Sequence, residues 1–171
     1  MVGSEKTIEL LLEYAIEIEY KAAQIYGTLS KLFPHVPGLS DFWQGLKEDE
    51  LGHVEALHET RKLLTPKQLL QDPGPKMWED VIHIQLMLGQ DLLAAVNTLD
   101  DAYELAHELE FSEVNAIFQF LAAECIPFDK RKRFIHSMIE QHQQKLSDFN
   151  QNFGNRDWRK RIGIQRIQCK E

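Results

Sequence analysis

Four segments of this chain carry apolar residues at steps of three and four, and each of those stripes has an ionisable residue near its middle. The period is that of an α-helix with one buried face. The first stripe runs Leu12, Ala15, Glu19, Ala22, Tyr26, Leu29, Phe33, and the second Trp43, Leu46, Glu50, His53, Leu57, Leu64. The third is Tyr103, Ala106, Glu110, Glu113, Ile117, Leu121, and the fourth Ile135, Ile139, His142, Leu146, Phe149. No run alternates with period two for long, so strands are not expected. A carboxylate buried without a partner is strongly unfavourable. The chain is thus constrained to an all-α bundle that finds partners for its interior charges.

Glycine and proline set the limits of the helices. The spacing predicts a first helix over about Thr7–Phe33, with Thr7 as N-cap and Glu9 in the first turn. A second is expected over Ser40–Leu64, with Ser40 as N-cap beside Asp41. The third is expected over Asp91–Ala123 and the fourth over Asp129–Asn150. Breaks fall at 33–41, 71–76, 125–129 and 152–155. The 64–91 connection holds two lesser helical stretches, "TPKQLL" and "KMWEDVIHIQLML". The layout is hairpin, long crossover, hairpin, which makes the second and third helices parallel. Residues 1–153 form the expected bundle, and 154–171 a basic C-terminal tail.

The two hairpins look like copies of each other. "EYAIEIEY" (Glu13–Tyr20) returns as "ELAHELEF" (Glu104–Phe111), which places Glu19 against Glu110. At nearly the same offset, Leu46, Glu50, His53 and Leu57 align with Ile135, Ile139, His142 and Leu146. The histidine is kept; the glutamate is replaced by Ile139.

A metal cation is the partner that can neutralise several buried carboxylates at once. Glu50 and His53 form a Glu-x-x-His pair on one helix face. Dinuclear carboxylate bundles take one glutamate from each of two helices and such a pair from each of the other two. Glu19 and Glu110 are the single glutamates here. Imidazole with carboxylates suits iron or manganese better than calcium, which prefers oxygen ligands. The other Glu-x-x-His matches, Glu55/His58 and Glu104/His107, lie off their stripes and are expected at the surface, as are His35 and His83. Tyr26 can either hydrogen-bond a ligand carboxylate or simply pack. Glu140 lies next to Ile139 in sequence, but ~100° away around the helix.

At 171 residues and 43% apolar content the chain can bury one core. A net charge of −8 argues against nucleic-acid binding. Cys125 and Cys169 form no CxxC pair and fit a reducing compartment. No apolar run is long enough for a membrane span, and no basic start precedes an apolar core. The expectation is a soluble cytoplasmic protein. The tail carries Arg156, Arg159, Lys160, Arg161, Arg166 and Lys170 against Asp157 and Glu171, reversing the charge of the body. It is expected to pack on the acidic bundle or on a neighbouring subunit.

The phrases "EYKAAQIYGTL" and "LKEDELGH", with "ELEFSEVN" in the second half, resemble the rubrerythrin branch of the ferritin-like superfamily. The resemblance covers about residues 5–150 and implies a ferritin-like four-helix bundle, often dimeric, around a dinuclear iron centre. It implies metal ligation by Glu19, Glu50, His53, Glu110, Glu113 and His142, with Glu113 a mobile ligand. The implied activity is reduction of hydrogen peroxide or oxidation of ferrous iron. Two departures stand out. Ile139 occupies the place of a bridging carboxylate, and the chain lacks a rubredoxin-like module, so electrons would come from a separate protein. The alternative is a degenerate bundle that binds one metal, such as zinc, or none, in a structural or binding role.

Overall fold

In the computed structural model, residues 6–89, 91–110, 114–124, 126, 130, 133 and 141–153 are described; for 114–116, 141–143, 150 and 151 only the backbone is. Every regular element among them is helical.

Helix α1 (Ile8–Leu32) starts as expected: the Thr7 hydroxyl accepts from the Leu10 amide at 3.2 Å, with Glu9 in the first turn and Lys31 in the last. Both charges complement the helix dipole. Helix α2 (Leu39–Leu63) starts one residue before the expected Ser40, capped by Gly38 instead. The chain turns there at φ 77°, a left-handed conformation that glycine adopts without the clash a Cβ brings. The turn places Leu39 in the first helical turn, where it is buried.

The crossover forms the two expected short helices. In α3 (Pro66–Leu69), Thr65 and Gln68 make a reciprocal capping box. Helix α4 (Pro75–Leu88) opens with proline at its first position, where no amide partner is lost. It packs on α1 and on α6 (Val114–Glu124).

The expected third helix from Asp91 begins later. Residues Leu92–Ala95 form a 3₁₀ turn, and α5 covers Leu99–Glu110. Its start is a reciprocal cap. The Asp101 carboxylate accepts from the Asn97 and Thr98 amides at 2.8 and 2.7 Å, while the Thr98 hydroxyl accepts from the Asp101 amide at 3.1 Å. Helix α7 (Gln141–Phe153) runs three residues past the expected Asn150. The 125–129 break, apart from Ile126, and the tail from 154 lie outside the described residues.

Among the described residues the interior is two apolar cores. One joins the N-terminal half of α1 (Ile8 to Ile18) to Leu57 and Leu64, to Trp78, Val81 and Ile84 of α4, and to Ile117, Phe118 and Leu121 of α6. The other joins Ala22–Phe33 to Leu39, Trp43 and Leu46, to Leu99–Leu109 of α5, and to Leu146 and Phe149 of α7. Helix α1 therefore enters at the first core and leaves at the second, while α2 returns. The α5–α6 segment runs in the same sense as α2. The crossover makes this possible by leaving from the first core at Leu64 and delivering Val96 to the second. Met87 and Leu88 touch both cores.

A candidate metal centre at the waist

Between the two cores lies a polar layer. On α1 it falls between Ile18 and Ala22, and on α2 between Leu46 and Leu57. Glu19, Glu50 and His53 occupy it, with relative exposures of 3%, 4% and 5%. Helical spacing puts all three there. Glu19 lies on the same face as Ala15, Ala22 and Tyr26, and Glu50 and His53 are one turn apart on the face that α2 turns to α1.

His53 Nδ1 is 2.9 Å from Glu50 Oε2 and 3.3 Å from Glu19 Oε2. One candidate ligand atom from each residue lies within 4.8 Å of the others. Burial on its own would lower the imidazole pKa. Hydrogen bonds to Glu19 and Glu50, with their charges, outweigh it and push His53 up to about 11. A proton on the ring thus bridges two carboxylates in the absence of a cation. Two carboxylates and an imidazole brought together out of water are a donor set for a transition-metal ion, which can replace that proton.

Glu110, at the α5 end of the same layer, is half-buried. Its Oε1 accepts a 2.6 Å hydrogen bond from the hydroxyl of Tyr26, which is fully buried. Of the two roles open to Tyr26 from sequence, packing and bonding to a carboxylate, it fills both. Its ring stacks on Trp43 with centroids 6.0 Å apart and 10° between planes. Burial, then the charges of Glu110 and Glu50, raise its pKa well above the usual tyrosine value. The phenol therefore stays a donor.

Not every sequence candidate can be placed. Glu113, Ile139 and Glu140 lie outside the described residues, and His142 is described only as part of the α7 backbone. The surface pairs fall where expected: Glu55, His58, Glu104, His107, His35 and His83 are all exposed. An ion pair between Lys145 and Asp49 ties α7 to α2 near the waist, a link the helical stripes gave no sign of. No helix among the described residues is long and apolar enough to cross a membrane.

Compared with known proteins, the chain matches no family model, and neither a curated protein nor a solved structure is similar to it.

Proposed function

We propose that this chain is a ferritin-like metalloprotein of rubrerythrin type, holding iron in the waist of a four-helix bundle to which α1, α2, α5 with α6, and α7 contribute. The observation that carries the proposal is the buried Glu19, Glu50 and His53 group, whose ligand atoms lie within 4.8 Å of one another. Support for the bundle comes from the crossover, which carries the chain from the first core to the second.

Glu19, Glu50 and His53 would hold the first metal. Glu110 would complete the set from the second hairpin, with Glu113 and His142 as further ligands by sequence. When bound, iron would supply electrons to peroxide, which is reduced to water as ferrous iron becomes ferric, and manganese or zinc fits the same donors. The residues of the chain do the rest. His53 gives up its Nδ1 proton to become a ligand, and Tyr26 fixes the rotamer of Glu110. The cores above and below exclude bulk water, which keeps charge interactions in the layer strong. An electron donor would be a separate protein.

A second reading is favoured by Ile139, which offers no ligand where the repeat calls for a glutamate. On that reading the bundle holds one metal, or none, and does no redox turnover.

Metal analysis after reconstitution of the purified chain with ferrous iron tests both. Bound iron that is lost in Glu50→Ala and His53→Ala supports the first reading. A helical, folded protein that retains no metal overturns it. Peroxide-dependent oxidation of the bound iron distinguishes a redox centre from a structural one. If Ile139 limits the site, Ile139→Glu raises the stoichiometry from one metal toward two per chain.

A further inference from the structure

Beyond the polar layer, toward its C-terminal end, α2 borders a groove of about 360 Å³. Ala56, Glu59, Thr60 and Leu63 face it at steps of three and four, as one side of a helix does. Ile126, Lys130 and Arg133 line it as well. Ile126 and Thr60 are buried, whereas Leu63 is 49% exposed. Thr60 donates its hydroxyl to the Ala56 carbonyl at 2.8 Å. The uncharged part of the lining is therefore mainly apolar, and it includes alkyl surface that gains by leaving water.

The charges on this lining do not cancel. Lys130 and Arg133 are in helical conformation three residues apart, which makes them neighbours on one face. They belong to "DKRKR" (129–133), four bases and one acid in a chain of net charge −8. Both are exposed, and neither forms an ion pair among the described residues. Glu59, the one acid in the lining, is 2.6 Å from Lys62, which is not part of it. Glu55, a turn earlier on α2, also lies outside the lining. Lys130 and Arg133 against Glu59 leave one positive charge in excess.

These features select a ligand class. A volume near the lower end of small-molecule sites, on the order of 300–1,000 Å³, suits one alkyl chain and not the two of a bilayer lipid. One excess positive charge suits a monoanion, and a guanidinium beside an ammonium pairs well with a carboxylate. We infer that the groove is a binding site for a single-chain alkyl carboxylate of medium length. Lys130 and Arg133 hold the head, and the methylenes lie against Leu63, Ala56 and Ile126. Phosphate, with its second negative charge, is disfavoured by Glu59. Nothing in this site depends on the metal reading of the polar layer.

Calorimetric titration of the full chain, with no metal added, reads the site directly. The probes are sodium hexanoate, octanoate and decanoate below their micellar concentrations. One decanoate per chain is expected, with affinity rising about two- to fourfold per added methylene. Acetate and inorganic phosphate are expected to give no binding heat. Octanol, which has the chain without the charge, should bind at least roughly tenfold more weakly than octanoate. Lys130→Gln with Arg133→Gln should weaken decanoate binding at least roughly tenfold. Leu63→Asp should weaken it as well, by setting a like charge against the ligand. All three positions are exposed, so a wild-type helical circular dichroism spectrum is expected of both variants. The inference is overturned if decanoate does not bind, if affinity does not grow with chain length, or if phosphate binds as well as decanoate. Folded variants that bind like the wild type overturn it too. So does a chain that ignores decanoate but sediments with phosphatidylglycerol vesicles, which would assign the groove to a bilayer surface. Metal content enters none of these measurements, so their failure and that of the iron reading are distinguishable.

Discussion

The Tyr26 hydroxyl donates to Glu110 Oε1 at 2.6 Å, joining residues 84 apart in the chain. It connects the two hairpins at the level of the polar layer, from within the second core. A hydrogen bond to a charged group contributes more than a neutral one, about 1.5–3 kcal/mol. Tyr26→Phe keeps the ring stacked on Trp43 and removes only the donor. Chemical denaturation of the metal-free variant is expected to show a loss of about 1–3 kcal/mol, and iron binding should weaken as Glu110 loses its fixed rotamer. Unchanged values in both measurements would show that the bond does nothing.

The His53 imidazolium makes stability depend on pH. Its folded pKa, about 11, lies above the ordinary 6.5. A raised basic group stabilises the fold fully below its unfolded pKa, and that contribution fades as pH climbs toward the folded value. Metal-free protein is therefore expected to lose stability steadily from about pH 7 to about pH 11. Urea titrations in that window test the slope, and His53→Gln should flatten it.

The same proton opposes metal binding. At neutral pH a cation must displace it from Nδ1, so uptake is expected to release about one proton from His53. Calorimetry in buffers of different ionisation enthalpy counts it, and affinity should rise roughly tenfold per pH unit above neutrality. Uptake with no proton release would mean that the imidazole is not a ligand.

Thr98 and Asp101 start α5 by capping each other. Thr98→Ala is expected to destabilise the protein by about 1 kcal/mol. The amides of Asn97 and Thr98 hold Asp101 below the usual carboxylate range, the Asn97 bond having the larger effect. A depressed carboxylate stabilises above its unfolded pKa and loses that contribution as pH falls through the folded one. The penalty of Asp101→Asn should accordingly be visible at neutral pH and shrink in strong acid.

Gly38 is a conformational requirement and not a packing one. A Cβ there meets nothing within 4 Å, yet φ is +77°. Gly38→Ala should cost about 1 kcal/mol through the left-handed backbone alone. A stabilised variant would mean that α2 can start elsewhere, for instance at Ser40.

The waist was legible from sequence because it is a violation. Glu19, Glu50 and His53 break apolar stripes whose period is otherwise clean, and that period fixes which face is inside. Start sites were harder to read, for a local reason. Ser40 has the chemistry of an N-cap, but the left-handed turn at Gly38 put the helix start ahead of it. In "NTLDD" the Thr98-x-x-Asp101 pairing was a usable cap signal; the apolar run Leu92–Val96 hid it by suggesting that the helix had already begun. What the sequence could not carry was connection across the bundle. Which carboxylate Tyr26 would meet, and the Lys145–Asp49 pair, depend on how helices distant in sequence come to rest at one height, and helical spacing says nothing about that.

The two cores also decide what surrounds the layer between them. Among the described residues, large side chains pack without exposure on both sides of it, Leu11 and Leu57 in the first core and Trp43 and Phe149 in the second. The crossover helix lies on α1 and α6, with Met87 and Leu88 against both cores. Glu19, Glu50 and His53 are thus sandwiched between two apolar slabs, so a change of charge on one of them is answered by its neighbours in the layer before it is answered by solvent.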